Sequence, residues 1–395
     1  MDKKSRILIL STAYLPHIGG SELAIKNITD RINDFEFHLV TARLDRKSPE
    51  YEIVGNVSVF RVGGFFSLAK GLLPKNLLPL AIFFKANSLI EKNDYKLIHA
   101  FQVSEAAGAG WLLKFFYPEL PLIVTMQEGK DLDSQGFLIN FFRKLIIKKT
   151  NSAIAISQYL KNYILKIKKD MPVTLIPNGV DLNNFSKEFS YGELANLEDR
   201  LGIQPDDKVI VSVSRLVDKN GLDLLIEAFH KLTSNQQSSV GYKLLLIGEG
   251  SLEKSLKAQV KNLNLENKII FVGPVQHEVL PAYLKISDVF VRPSRSEGLG
   301  SAFLEAMAAG VPVIATNVGG ISDFLKDPST GSGLATGLFC SLEPDDIASK
   351  VNVMLDNETL RREIIKNSNI LVEGKYNWDK IAEQYKEIFN FQSPI

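Results

Sequence analysis

A chain of 395 residues is too long for one ordinary hydrophobic core, and at roughly 100–200 residues per domain it predicts two. Hydrophobic residues at 45% and charged residues at 23% describe a globular protein, and a net charge of +1 gives no global field to attract nucleic acid. The single cysteine, Cys340, excludes a disulfide framework and a cysteine-built metal site, and it fits a reducing compartment.

The chain begins MDKKSRILILSTAYLP, whose apolar run is too short for a secretory signal. No stretch approaches the roughly 18 uncharged apolar residues of a spanning helix. The expected location is therefore the cytoplasm, either free or peripheral on the inner face of the membrane. The stretch NLLPLAIFF (76–84), flanked by Lys75 and Lys85, reads either as a core helix or as a segment resting on a membrane surface.

Strands are predicted at RILILST (6–12), EFHLVTA (36–42), VSVFRV (57–62), KLIHAF (96–101), LIVTM (122–126), AIAIS (153–157) and TLI (174–176). Helical patterns occupy 22–33, 76–92, 105–117, 137–149 and 157–168. The rhythm then restarts, with strands VIVSVS (209–214), KLLLIG (243–248), KIIFVG (268–273), DVFVRP (288–293) and PVIAT (312–316). Helices fit LDLLIEAFHKL, SLEKSLKAQVKNL, HEVLPAYLK and SAFLEAMAA between them. Apolar strands without polar alternation are buried on both faces, as in parallel sheets. Two such series imply an α/β protein of two doubly wound domains, 1–180 and 181–375, with 376–395 as a C-terminal helix crossing back to the first. The seam is placed near IPNGVDLNNFSKEFSYGELA (176–195), where Pro-Asn-Gly gives turn chemistry and the polar residues beyond show no clear period.

The stretch SEGLGSAFLEAMAAG (296–310) holds Glu297 and Glu305 with no charge between them. Glu297 falls at the carboxyl end of a predicted strand. Glu305 falls about one turn into a helix opening near Ser301, the expected N-cap. Glycine loops let backbone N–H groups approach a ligand, and a helix N-terminus suits phosphate. Carboxylates suit vicinal hydroxyls. Together these describe a site for a nucleotide sugar; the plainer reading is a loop cap and a surface acid.

The run RPSRSEGLGSAFLEAMAAGVPVIATNVGGISDFL (292–325) closely resembles the E-x7-E segment of the retaining glycosyltransferases of family 4, which have the GT-B fold. The resemblance implies two facing Rossmann-like domains with an interdomain cleft, the first taking the acceptor and the second a UDP- or GDP-sugar. By match of position, Glu305 binds the donor ribose and Glu297 lies by the donor sugar, with Gly298, Leu299 and Gly300 beside it. SRLVDKNGLDLLIEAF (214–229) resembles the family's R-L-x-x-x-K-G segment. Arg215 then stabilises the departing diphosphate. The family's lysine stands where this chain has Asn220, and Lys219 is one place earlier, an offset that can turn the side chain away. STAYLPHIGGSELAIKNI (11–28) resembles the glycine-pair loop, assigning Gly19 and Gly20, with Ser21 as expected N-cap. IVTMQEGKD (123–131) has Gln127 where many members carry a histidine; a glutamine can donate to a sugar hydroxyl but cannot exchange a proton at neutral pH. NVGGISDFL (317–325) adds Gly319 and Gly320 beside the donor. FVGPVQHEV (271–279) marks the region that reads the base, largely through backbone groups.

The resemblance further implies transfer of a hexosyl-type group to an acceptor hydroxyl on a glycan, a lipid-linked molecule or a small molecule, in glycan or cell-envelope polysaccharide synthesis. It implies front-face attack assisted by the leaving phosphate, no cofactor and no required metal. Two other readings stay open on the residues: a sugar-nucleotide 2-epimerase of the same architecture, and a non-catalytic nucleotide-sugar-binding protein. GSGLATG (331–337) departs from the G-x-G-x-x-G spacing, and DLD (131–133) is a common tripeptide rather than a metal signal. Residues 137–170 hold eight Lys/Arg and one acid, interleaved with apolar residues. They read as helices packing on the first sheet, or as a basic face meeting anionic lipid or a phosphorylated acceptor.

Overall fold

The computed structural model describes residues 4–17, 19–63, 77–129, 132, 134–234, 241–331 and 334–391. Asp131 and Asp133 of the DLD tripeptide, Ser332 and Gly333 of GSGLATG, and Lys75 and Asn76 lie outside the described residues. The chain divides into two compact units, Met1–Asn178 with Trp378–Ile395, and Gly179–Asn377.

The first unit runs β1 (Ser5–Leu10), α1 (Gly20–Arg31), β2 (Phe35–Ala42), β3 (Tyr51–Val54), β4 (Val57–Val62), α2 (Leu78–Ile90), β5 (Leu97–Phe101), α3 (Glu105–Phe116), β6 (Leu122–Met126), α4 (Phe137–Lys149), β7 (Ser152–Ala155), α5 (Gln158–Ile167) and β8 (Val173–Leu175). Among the described residues these strands form one sheet in the order β3-β4-β2-β1-β5-β6-β7-β8. Every pairing is parallel except β3 with β4. Every residue of β5 and of β6 is buried, as strands covered on both faces must be. YEIV, outside the predicted strands, pairs with VSVFRV; a Gly55-Asn56 turn joins the two as a hairpin, with Val54 opposite Val57.

The second unit runs α6 (Leu182–Phe185), α7 (Tyr191–Leu201), β9 (Lys208–Val213), α8 (Leu222–Ser234), β10 (Tyr242–Ile247), α9 (Glu253–Asn262), β11 (Ile269–Gly273), α10 (Leu280–Lys285), β12 (Val289–Arg292), α11 (Ser301–Ala308), β13 (Val313–Thr316), β14 (Leu338–Cys340), α12 (Pro344–Asp356) and α13 (Glu358–Lys375). Its described strands are all parallel, in the order β11-β10-β9-β12-β13-β14. That is the doubly wound order whose connections reverse direction between β9 and β12. The last helix, α14 (Trp378–Phe391), belongs to the first unit. Its Trp378, Ile381, Tyr385 and Phe389 join the core that holds Phe35 and Phe37.

Several local expectations differ from the structure. Ser301 is the first helical residue of α11 rather than its cap; Gly300 caps it, at φ +88°. A left-handed turn at this point selects glycine over serine. Likewise α1 opens at Gly20 with Gly19 as cap, so Ser21 is already inside the helix. The polar stretch past the seam is not irregular: Ser190 and Glu193 form a reciprocal capping box that starts α7. β14 is too short, at three residues, to show a period, and α12 and α13 follow it.

Candidate active site

In open α/β sheets the ligand crevice forms beyond the carboxyl ends of the strands where strand order reverses. In the second unit this point lies between β9 and β12. The loop after β9 carries Arg215 and Lys219, and the loop after β12 carries Glu297 through Gly300. Sequence positions 80 residues apart are thus adjacent because β9 and β12 pair directly.

Glu297 is 7% exposed and accepts two charged hydrogen bonds on Oε1, from Arg292 Nη2 at 2.9 Å and from Lys219 Nζ at 3.2 Å. The offset of the lysine therefore does not turn it away. Asn220, which takes the position next to it, is buried and donates from Nδ2 to the Arg215 carbonyl at 2.6 Å. Burial pushes the Lys219 ammonium below its ordinary value; Glu297 opposes that shift, while Arg292 and Arg215 add to it. Arg215 is exposed, and among the described residues its guanidinium has no hydrogen-bond or ion-pair partner. A second arginine fixes the loop. Arg295 makes a two-pronged pair with Asp223 at 2.9 and 2.7 Å, and its backbone N–H donates to the Lys219 carbonyl at 2.7 Å.

Arg292 closes β12 and was not singled out from sequence. It is buried, donates Nη1 to the Val213 carbonyl at 3.0 Å and Nε to Ser294 Oγ at 3.2 Å, and lies 4.1 Å from the centre of the Phe303 ring. Its signal was in the sequence: an arginine ending an otherwise apolar strand has to satisfy its fork at the loop that follows. Removing it would leave Glu297 in an apolar surround with half its compensation, a situation that typically costs about 3–5 kcal/mol.

Glu305 sits in the second turn of α11, 9% exposed, with Oε1 3.1 Å from His277 Nε2. His277 lies in the loop between β11 and α10. It meets the Phe185 ring edge-on at 4.9 Å, and its carbonyl accepts from Asn184 Nδ2 at 2.8 Å. The resemblance assigns this loop largely backbone contacts; the side chain of His277 is the group it brings to Glu305. Leu299 is buried, at 1% exposure, and Gly298 is buried beside it. α11 has no side-chain cap, and of its first-turn amides that of Phe303 donates to the Gly300 carbonyl at 3.0 Å. Gly319, at φ +56°, lies so close to Glu297 that a Cβ there would stand 1.7 Å from the Glu297 carbonyl oxygen. The Gly320 N–H donates to that same oxygen at 3.3 Å.

Gly19, Gly20 and Gln127 belong to the first unit. Gly19 and Gly20 follow β1 and Gln127 follows β6, at the carboxyl ends of those strands. A Cβ on Gly20 would lie 3.9 Å from Asn178 Nδ2, and that amide donates to Gln127 Oε1 at 3.3 Å. Gln127 is 8% exposed and its Nε2 has no acceptor among the described residues. Gln102, at φ +67°, donates to Ser21 Oγ at 3.2 Å. Glu22, in the uncapped first turn of α1, is held above its ordinary pKa by burial. Glu128 is raised for the same reason, against Arg143 and the Val103 and Gln127 amides that bond it. Among the described residues, no group of three His, Cys, Asp or Glu side chains could hold a metal ion.

Both units carry doubly wound sheets whose chemistry-bearing groups collect at the strand carboxyl ends. Two family models match in succession: Glycosyltransferase Family 4 over residues 18–184 and Glycosyl transferases group 1 over residues 195–371. The chain is 27% identical to an uncharacterized glycosyltransferase of Methanocaldococcus jannaschii, with 97% of each chain covered. It is 25% identical to the N-acetyl-alpha-D-glucosaminyl L-malate synthase of Bacillus anthracis, over 96% of this chain and 95% of that one. Anabaena HepE, solved in complex with UDP-glucose, shares the fold at TM-score 0.79 and 20% identity, over 98% of this chain and 99% of that one. The fold is GT-B and the protein is a glycosyltransferase. The chain belongs to family 4 of these enzymes.

Proposed function

We propose that this chain transfers a hexosyl-type group from a nucleoside diphosphate sugar to an acceptor hydroxyl, with retention of anomeric configuration. The second unit takes the donor and the first the acceptor. One observation supports this above others: around the β9/β12 switch point, buried acids, cations and uncapped helix amides collect in one unit. Glu305 accepts the ribose hydroxyls and His277 fixes its orientation. Glu297 orients the donor sugar, with Gly298, the Leu299 backbone and Gly300 beside it, and Gly319 and Gly320 supporting it from the segment after β13. Arg215 and Lys219 face the diphosphate.

In the reaction the acceptor oxygen bonds to the anomeric carbon on the face from which the carbon–phosphate-oxygen bond breaks. The acceptor proton goes to the leaving phosphate oxygen. Negative charge grows on the diphosphate, and Arg215 is the cation free to meet it. Gln127 donates from its unpaired Nε2 to a sugar hydroxyl. The fixed cations take the part a metal plays elsewhere, so transfer is metal-independent and unaffected by a chelator. The donor is a UDP- or GDP-sugar; HepE is named with UDP-glucose bound, which favours the uridine form. The acceptor is a glycan, lipid-linked or small-molecule hydroxyl, reached in the cytoplasm or at the inner membrane face through residues 137–170.

The test begins with a thermal-shift screen of UDP- and GDP-sugars, since a bound donor raises stability by mass action. Glu305→Ala should weaken donor binding by about ten- to a hundredfold, the worth of charge-assisted hydrogen bonds. Arg215→Ala should lower kcat by about a hundredfold or more with a smaller change in donor affinity. Unchanged kinetics in both variants would refute the assignment. Rearrangement of the donor in the absence of acceptor would mark an epimerase instead.

A further inference from the structure

The first unit has a surface that transfer chemistry does not use. α4 buries Arg143, Ile146 and Ile147 but leaves Phe137, Leu138, Ile139, Phe141 and Phe142 exposed, between 47% and 82%. Single exposed apolar residues are ordinary, whereas five large ones on two turns of one helix are not. Phe137 and Phe141 stack at 6.2 Å, and Phe141 meets Phe142 edge-on at 5.7 Å. Further exposed aromatic residues lie on α3 and α2. Lys149 places its ammonium 5.0 Å from the ring of exposed Phe115 at the end of α3. Its neighbour Phe116, also exposed, lies 5.4 Å from Phe83 of α2, which meets exposed Phe84 at 5.3 Å.

We propose that this α4–α3–α2 surface docks on an anionic lipid bilayer, with the first two turns of α4 entering the headgroup boundary. The charge of the surface selects that occupant. The outward side of α4 passes from aromatic residues to exposed Lys144, Lys148 and Lys149, and α4 contains no acid. Lysines on such a helix hold their ammonium groups in the phosphate layer while the rings bury. A second copy would bring the same lysines against themselves, and a symmetric interface has no acids here to pair them. A helix of 13 residues spans about 20 Å, too little to cross a bilayer, so α4 lies in the interfacial plane. No described helix is long and apolar enough to cross a membrane. The surface is narrower than 137–170 and reaches outside it: α5 exposes no large apolar side chain, while α2 and α3 do. The inference rests on the peripheral placement above and not on the transfer chemistry, so the two can fail separately.

The experiment is flotation of the full chain with vesicles of phosphatidylcholine alone and of phosphatidylcholine mixed equally with phosphatidylglycerol. The chain should float with the mixed vesicles at least about tenfold more than with the neutral ones, and high salt should reduce the difference. The pair Phe137→Ser with Phe141→Ser should abolish flotation while keeping the parent melting temperature, because neither ring is in the core. Lys144→Glu with Lys148→Glu should remove the preference for anionic vesicles. Tyr191→Ser, which deletes an exposed ring in the second unit, should change nothing. The proposal is overturned if the parent chain stays in solution with both vesicles, or if the serine pair floats as the parent does. It is also overturned if sedimentation shows a parent dimer that the serine pair makes monomeric, since a second copy then covers the surface. Donor turnover measured on a soluble acceptor reports the transfer reading independently of all these outcomes.

Discussion

At the scale of the residue, His277 and Glu305 show how one contact couples protonation to the site. Burial opposes charge on the imidazole, but the hydrogen bond and charge of Glu305, with Glu278 and Asp181 nearby, outweigh it and raise the ring above its ordinary value. A raised folded value means the pair's stabilisation is fully present below the unfolded pKa near 6.5 and is lost as pH rises through the folded one. His277→Asn should therefore lower the melting temperature most at about pH 6, with the gap closing toward about pH 9. A gap independent of pH would show that only packing against Phe185 is lost. Glu297 and Glu305 were legible in the sequence because acids in an uncharged, glycine-punctuated stretch have no solvated-face explanation. His277 was not, because its partner Glu305 lies in another element and only the seating of the loop after β11 brings the two together; Arg292, at the end of an apolar strand and just before Glu297, carried a local signal.

At the scale of the element, α11 and the loop before it behave as one clamped piece. Arg295 ties the loop to α8 through Asp223, Gly300 turns it left-handed under Phe303 and Arg292, and Gly319 from the segment after β13 presses on Glu297. A Cβ at Gly300 would stand 2.6 Å from the Phe303 ring, and one at Gly319 would overlap the Glu297 carbonyl. Gly319→Ala should destabilise the second unit by more than about 2 kcal/mol, from left-handed strain plus the displaced backbone. It should also weaken donor binding, because Glu297 moves with its carbonyl. Calorimetry with a donor titration reads both effects, and a stable variant of normal affinity would show that the clamp has slack. Most strands and helices were readable from apolar runs and their period. Their starts were less so: Ser21 and Ser301 have good capping chemistry, but the backbone at the turn demanded glycine, and the cap moved one or two places upstream.

At the scale of the whole molecule, the C-terminal helix decides what the first unit can do alone. α14 packs along α1, with Phe389 edge-on to Phe35 at 5.8 Å and Tyr385 beside His99, whose burial drives its pKa down to about 3. Four large side chains buried at about 2–3 kcal/mol each are worth on the order of 10 kcal/mol, comparable with the whole stability of a domain. Ending the chain at Asn377 should therefore abolish the first unit's melting transition and leave the second unit's in place, as calorimetry and hydrogen exchange would show. Survival of both transitions would mean that α14 is an accessory. The sequence by itself determined the α/β class, the two successive sheets and the two acids of the E-x7-E stretch, because these are written in local periodicity and spacing. Only the tertiary structure decided that Lys219 reaches Glu297 despite its offset, that His277 reaches Glu305, and that α4 turns its aromatic residues outward. Those facts depend on which strands become neighbours and which helix faces find cover, and such long-range choices have no local signature in the chain.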